Sequence, residues 1–181
     1  MSGAGSKGVA EWTQEPSNTA SEEAELRSRA LYGQDEFGWL LEQADLLRDG
    51  RLDEIDRVSL VEFLTKMARS KKHEFRSMMI VLLHHLLKVV VRPEKMTRSW
   101  LLTIDEQQDE AQSLIEDEPG MRQYLPNLYA KAYPVARRRA SIETGIGIDR
   151  FPVDNPWTMD EALTFVPPAP PPSGRKLTRK G

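Results

Sequence analysis

The chain has 181 residues, 28 acidic against 25 basic, a formal net charge of −3 and no cysteine. A pI near 5.7 gives it no global attraction for nucleic acid or anionic membranes, and the lack of thiols excludes disulfides, thiolate nucleophiles and cysteine zinc sites. No apolar run approaches the roughly 20 residues that span a bilayer, and the opening MSGAGSKGVAEWTQEPSNTA has no apolar leader segment, so a cytoplasmic protein without membrane association is expected.

Residues 1–20, rich in Gly, Ser and Ala, read as a disordered tail. Thr19–Glu22, "TASE", has the form of a capping box. It opens a first helical region that runs to about Asp49, where "DGR" marks an end. Asp53 is placed to cap a second helix, with Leu60, Phe63, Leu64, Met67 and Ala68 on one side and Glu62, Lys66 and Arg69 facing away. Ser70 is placed to cap a third. There Phe75, Met78, Met79, Leu82, Leu83, Leu86, Val89 and Val90 form one broad stripe, and Ile80, Leu87 and Val91 a second beside it. A helix apolar over so much of its circumference belongs at the centre, packed by several neighbours.

"RPEKMT" at 92–97 breaks that helix. A fourth carries Trp100, Ile104, Ala111, Leu114 and Ile115 on one face, and "DEPG" at 117–120 stops it. A fifth shows Met121, Leu125, Leu128, Tyr129, Ala132 and Ala136 at helical spacing. Pro126 suits a first turn, whereas Pro134 is expected to kink or break the helix. "TGIGIDRFPVDNP" reads as a loop whose glycine pair suits a C-cap better than a phosphate cradle. "WTMDEAL" adds a short closing helix. No strand-period alternation and no internal repeat are present. The expectation is an all-α single-domain bundle of about five helices over residues 21–165, followed by a Pro-rich, basic, disordered tail at 166–181.

The chemistry-bearing residues are few. His84 and His85 are adjacent, so on a helix they diverge by about 100° and cannot share a metal. His73 lies about 16 Å from His84 along the axis at 1.5 Å per residue. His85 is expected at the edge of the apolar stripe, hydrogen-bonded to a neighbouring helix, and His84 at the surface. Gln107 falls between Ile104 and Ala111 on the apolar face, where a buried amide needs partners; a bond to the third helix, even to His85, is the reading. The triple arginine at 137–139 fans out around a helix rather than forming one face, although Arg138 aligns with Lys131 one heptad earlier. Arg69, Lys71 and Lys72 make the other basic cluster. None of the hydrolase, P-loop, dinucleotide or HExxH templates occurs.

Seven stretches together carry a resemblance: "LYGQDEFGWLLEQADLLRDGRLDEID", "MARSKKHEF", "LLHHLLK", "RSWLLTIDEQ", "AYPVAR", "ETGI" and "FPVDNPWT". Over roughly residues 31–158 the chain resembles the bacterial family known as domain of unknown function 29. His85 matches the histidine of the family's LLxHLLK pattern, and Ser99 and Trp100 match its SW pair. Leu31, Tyr32, Asp35 and Trp39 match its opening, and Pro156 and Trp157 its ending. Phe63 and Thr65 stand where the family pattern has acidic residues, and Val89 where it has an aromatic one, so a carboxylate–histidine site is not implied here. The resemblance implies a compact helical fold in a bacterial cytoplasm and no activity or cofactor.

The function expected is a non-catalytic interaction or regulatory module with an unidentified protein partner or with itself. The alternative is a nucleic-acid-linked, antitoxin-like regulator acting through Arg69, Lys71, Lys72, Lys131 and Arg138. A second alternative is a metal-dependent hydrolase centred on His85 with Glu62 or Glu74 as carboxylates. Glu62 faces away from its helix's apolar side, and Glu74 lies about three turns from His85, which weighs against that alternative.

Overall fold

The computed structural model describes residues 17–169. It is all-α, with six helices and no strand among the described residues: α1 (Ser17–Gln34), α2 (Glu36–Arg48), α3 (Arg57–Val91), α4 (Arg98–Asp117), α5 (Leu125–Thr144) and α6 (Met159–Leu163). Most of the predicted tails, residues 1–16 and 170–181, lie outside the described residues. No helix among the described residues is long and apolar enough to cross a membrane. The chain divides into two compact units, up to Lys66 and from Met67 onward.

The first unit holds α1, α2 and the opening turns of α3. The single helical region expected up to Asp49 is in fact two helices, because Asp35 caps the second. Its backbone leaves the helical region (φ −145°, ψ 82°) and its carboxylate accepts the Gly38 N–H at 2.9 Å. A Cβ on Gly38 would stand 2.3 Å from that carboxylate, so a larger residue here would push the Asp35 side chain out of its capping position. Thr19 lies inside α1 rather than at its start. Asp53 sits in a 3₁₀ turn, Leu52–Glu54. The cap of α3 is Asp56, whose carboxylate accepts the Ser59 N–H at 3.0 Å.

Trp39 fills the centre of this unit with no exposure, and the rings of Tyr32 and Phe63 lie 4.7 and 5.8 Å from its own. Beside it runs a buried polar chain. The Gln43 amide donates to Ser28 Oγ at 2.9 Å and accepts the Asp56 N–H at 2.9 Å. One side chain therefore ties α1, α2 and the start of α3 together. Leu64 and Met67, expected on the apolar side, are more than half exposed.

The second unit is built on the rest of α3. Ser70 caps nothing, since the two helices expected on either side of it form one 35-residue helix. Ser70 is followed by two lysines, with neither glycine nor proline to interrupt the backbone. Phe75, Met79, Leu82, Leu83, Leu86 and Leu87 are completely buried. Ile104, Ala111 and Leu114 of α4 cover them, together with Leu125, Tyr129, Ala132, Ala136 and Ala140 of α5. Val90, assigned to the main stripe, is 55% exposed. The breaks expected at 92–97 and 117–120 are present, each holding a 3₁₀ turn.

Pro134 does not end α5, which continues ten residues past it. Pro134 and Ala130, whose carbonyl loses its helical donor, are both exposed, so the missing bond falls on the solvent side of the helix. Gly145, at φ +69°, is the C-cap. The irregular segment after it is anchored by α5: Tyr133 Oη donates to the Pro152 carbonyl at 2.7 Å, and Arg137 to the carbonyls of Ile148 and Phe151. The closing helix carries a full capping box between Thr158 and Glu161. Gln108 and Gln112 hold its end by donating to the carbonyls of Ala162, Phe165 and Leu163.

Replacing Gln43 by Ala strands the buried Ser28 hydroxyl and Asp56 N–H, at a cost of about 2–3 kcal/mol. Ser28→Ala removes one bond with its donor able to relax and should cost about 1 kcal/mol. Urea unfolding followed by far-ultraviolet circular dichroism measures both, and equal small losses would show that the amide is not what joins these helices.

Candidate functional site

The sequence of α3 near its end, His84-His85-Leu-Leu-Lys88, places His84 and Lys88 one turn apart on one face. In the structure neither is at the surface. Lys88 is 2% exposed, and the side chain of His84 is 12% exposed. Both face Glu143 in the last turn of α5. The Lys88 ammonium donates to Glu143 Oε1, and His84 Nε2 lies 2.7 Å from Glu143 Oε2. Trp100, from the first turn of α4, lies under the lysine, whose Nζ is 4.0 Å from the ring centroid. Three helices thus meet on one buried ammonium, which has a carboxylate on one side and an aromatic face on the other. Burying an unpaired ammonium is prohibitive, and this pairing is what makes the burial tolerable.

The electrostatics follow from the same packing. Burial, followed by the neighbouring His85, pushes the His84 pKa down to about 4, against an upward pull from Glu143. Burial also lowers His85, although the bond from its Nδ1–H to the Val81 carbonyl (2.9 Å) favours the charged form. For Glu143, burial alone would raise the carboxyl, but the hydrogen bond and charge of Lys88 outweigh it and hold it below its ordinary value. At neutral pH the site is therefore an ammonium–carboxylate pair flanked by two neutral imidazoles.

Several expectations are corrected here. His84, expected at the surface, is half of the contact with Glu143. His85 bonds its own helix and not a neighbour, because its Nδ1 reaches the carbonyl one turn back. Gln107 is only partly buried and donates to Glu110 on α4 itself at 2.9 Å, so it does not reach α3. The glutamines that do cross between elements are Gln108 and Gln112. Glu62 and Glu74 are both exposed on α3, Glu74 lying 3.9 Å from Lys71. Among the described residues no three His, Asp or Glu side chains stand close enough together to hold a metal ion. Lys131 and Arg138 are exposed on α5, whereas Lys71 lies 3.6 Å from Glu118 and Lys72 lies over the Tyr124 ring at 3.4 Å.

Lys88 and Glu143 were not singled out in the sequence. One signal was available: an acid in the last turn of α5 opposes the helix dipole, and such an acid usually answers to a cation elsewhere.

The pair should respond asymmetrically to mutation. Glu143→Ala leaves a buried ammonium uncompensated and should cost about 3–5 kcal/mol. Lys88→Met replaces the ammonium with an apolar group of similar length and leaves a half-exposed carboxylate, so its cost should be smaller. Chemical denaturation of both variants decides this, and a larger loss for Lys88→Met would overturn the description.

The histidine sets a pH dependence. Unfolded, His84 titrates near 6.5; folded, near 4. The unfolded chain binds more protons between these values, so stability falls as pH drops from 6.5 toward 4, by on the order of 2–3 kcal/mol. Glu143, whose folded pKa is depressed, adds loss of the same sign at lower pH. His84→Gln should flatten the upper part of the slope in denaturation curves taken from pH 7 to 5, and an unchanged slope would assign it to other groups.

No curated protein and no solved structure matches the chain. The model of one family, described as Domain of unknown function DUF29, matches residues 31–166. The match takes in α2 through α6, including every residue of the Lys88 site, and the chain belongs to that family.

Proposed function

We propose that this protein is a non-catalytic helical interaction module that associates with a second copy of itself, in a cytoplasmic setting. The observation that carries the reading is the apolar surface of the first unit. Phe37 and Leu41 stand one turn apart on α2, opposite the buried Trp39, and are 71% and 54% exposed. On the opening turns of α3, Val58, Val61 and Leu64 are 61%, 64% and 56% exposed. Single exposed apolar residues are ordinary, but successive ones on the outer faces of amphipathic helices mark contact surfaces.

Among the described residues three ion pairs lie within this unit, Lys66 with Glu36, Arg48 with Asp45 and Arg51 with Glu54, and its other carboxylates leave it net acidic. Charge does not favour the pairing of two acidic copies, so the contact is one selected by apolar fit. A second copy presents the same surface, as a two-fold contact requires. No observation favours the nucleic-acid reading over this one, since Lys71 and Lys72 are engaged within the second unit.

Sedimentation equilibrium at rising protein concentration tests the proposal. The chain should move from monomer to dimer, and Phe37→Ser with Val61→Ser should remain monomeric with an unchanged helical circular-dichroism spectrum. A wild-type chain that is monomeric throughout removes self-association. Retention from a cell lysate that disappears on nuclease treatment would replace the proposal with the nucleic-acid reading.

A further inference from the structure

Beside the Lys88–Glu143 pair lies an open cleft of about 240 Å³ lined by Lys88, Arg92, Lys95, Trp100, Glu143 and Thr144. Its walls come from separate parts of the second unit: the end of α3, the 3₁₀ turn Pro93–Lys95, the first turn of α4 and the last turn of α5. Three cations and one anion face the cleft, and the anion is already engaged. Glu143 accepts from Lys88 and lies against His84, so its charge is neutralised from within the protein.

The two other cations are not neutralised in this way. Arg92 turns one nitrogen, Nη2, to the Thr144 carbonyl at 3.3 Å and makes no ion pair among the described residues. Lys95 is exposed and likewise makes none. The first turn of α4, which supplies Trp100, carries the positive end of that helix, and only its third N–H is met by the Thr97 hydroxyl, at 3.4 Å.

An oxyanion entering this cleft meets a positive field in a partly shielded space, where charge interactions are stronger than at full exposure. Arg92 offers a planar fork and Lys95 a point charge. Two uncompensated cations match the charge of about −1.5 to −2 on a phosphate monoester better than the single charge of a carboxylate. The volume is below the roughly 300–1,000 Å³ of drug-sized sites, so the body of the ligand is small and lies against the Trp100 wall. We propose that this cleft binds a small phosphate monoester, with Arg92 and Lys95 holding the phosphoryl group and Lys88 silencing the one carboxylate that would repel it. Here the buried lysine is a positioning residue: it holds Glu143 and need not touch the ligand.

The test is a set of ¹H–¹⁵N spectra of the full chain titrated with sodium phosphate, glycerol phosphate, sodium acetate and sodium chloride at matched ionic strength. The Trp100 indole N–H, identified by its disappearance in Trp100→Phe, and the amides of Arg92 and Lys95 should shift saturably with both phosphates and not with chloride. Glycerol phosphate should bind more tightly than inorganic phosphate if the Trp100 wall contacts the ligand body. Arg92→Ala and Lys95→Ala should each weaken phosphate binding by about tenfold or more, with the rest of the spectrum unchanged. Lys95 is at the surface, so that variant remains informative even where Arg92→Ala fails to fold. Equal shifts with chloride, saturation by acetate at lower concentration than by phosphate, or a folded Lys95→Ala that titrates like wild type would each overturn the proposal.

Discussion

Between Phe75 and Val89, α3 has almost no polar circumference, and the second unit is arranged to keep that stretch dry. Six of its side chains have no exposure at all, which no single neighbour could achieve. α4 and α5 cover it with stripes at helical spacing. On α5 the stripe includes Ala132, Ala136 and Ala140, all fully buried, whose small side chains allow close approach. The hydrophobic effect is indifferent to direction, and direction enters through polar anchors around the rim. Tyr129, Tyr133 and Arg137 of α5 and Gln108 and Gln112 of α4 all reach backbone carbonyls of the segment after α5. That segment has little regular structure of its own, and the anchors satisfy carbonyls that would otherwise have no partner.

One charge sits inside this apolar arrangement. Lys88 is at the end of α3, where a cation complements the helix dipole, and Glu143 is at the end of α5, where an anion opposes it. Only their meeting makes both placements reasonable. The two histidines stay neutral beside the pair because burial disfavours a further positive charge next to Lys88. The pair also leaves the adjoining cleft with uncompensated cations, since its single carboxylate is already occupied. A buried ion pair of this kind contributes little net stability compared with an apolar replacement, so its presence agrees with a role at the cleft beyond packing.

The first unit has a smaller core and a different solution. Trp39, Leu46 and Ile55 supply the apolar centre, and the Gln43 amide supplies the direction by joining Ser28 and the Asp56 backbone. A small core leaves much apolar surface outside, and Phe37, Leu41, Val58 and Val61 are that surface. The exposed side of the unit thus follows from its size as well as from any use made of it.

The all-α class, the buried character of residues 75–89, the breaks after Val91 and Asp117, the glycine cap at 145 and the short closing helix were legible in the sequence. Each rests on a local rule: hydrophobic period, Pro and Gly chemistry, or a capping pattern. The local rules failed where two of them competed. Asp56 took the cap assigned to Asp53, and Asp35 opened a second helix inside a stretch read as one, because cap choice depends on what the flanking helices bury; Pro134 was tolerated because its side of α5 is exposed. The site itself lay beyond the sequence. Glu143 falls in line with the buried stripe of α5, but nothing local names its partner. Helical phase puts His84 and Lys88 on a polar arc of α3, and a polar arc reads as solvent unless another helix covers it. Whether it is covered depends on contacts between residues more than fifty positions apart, and only tertiary packing brings those together.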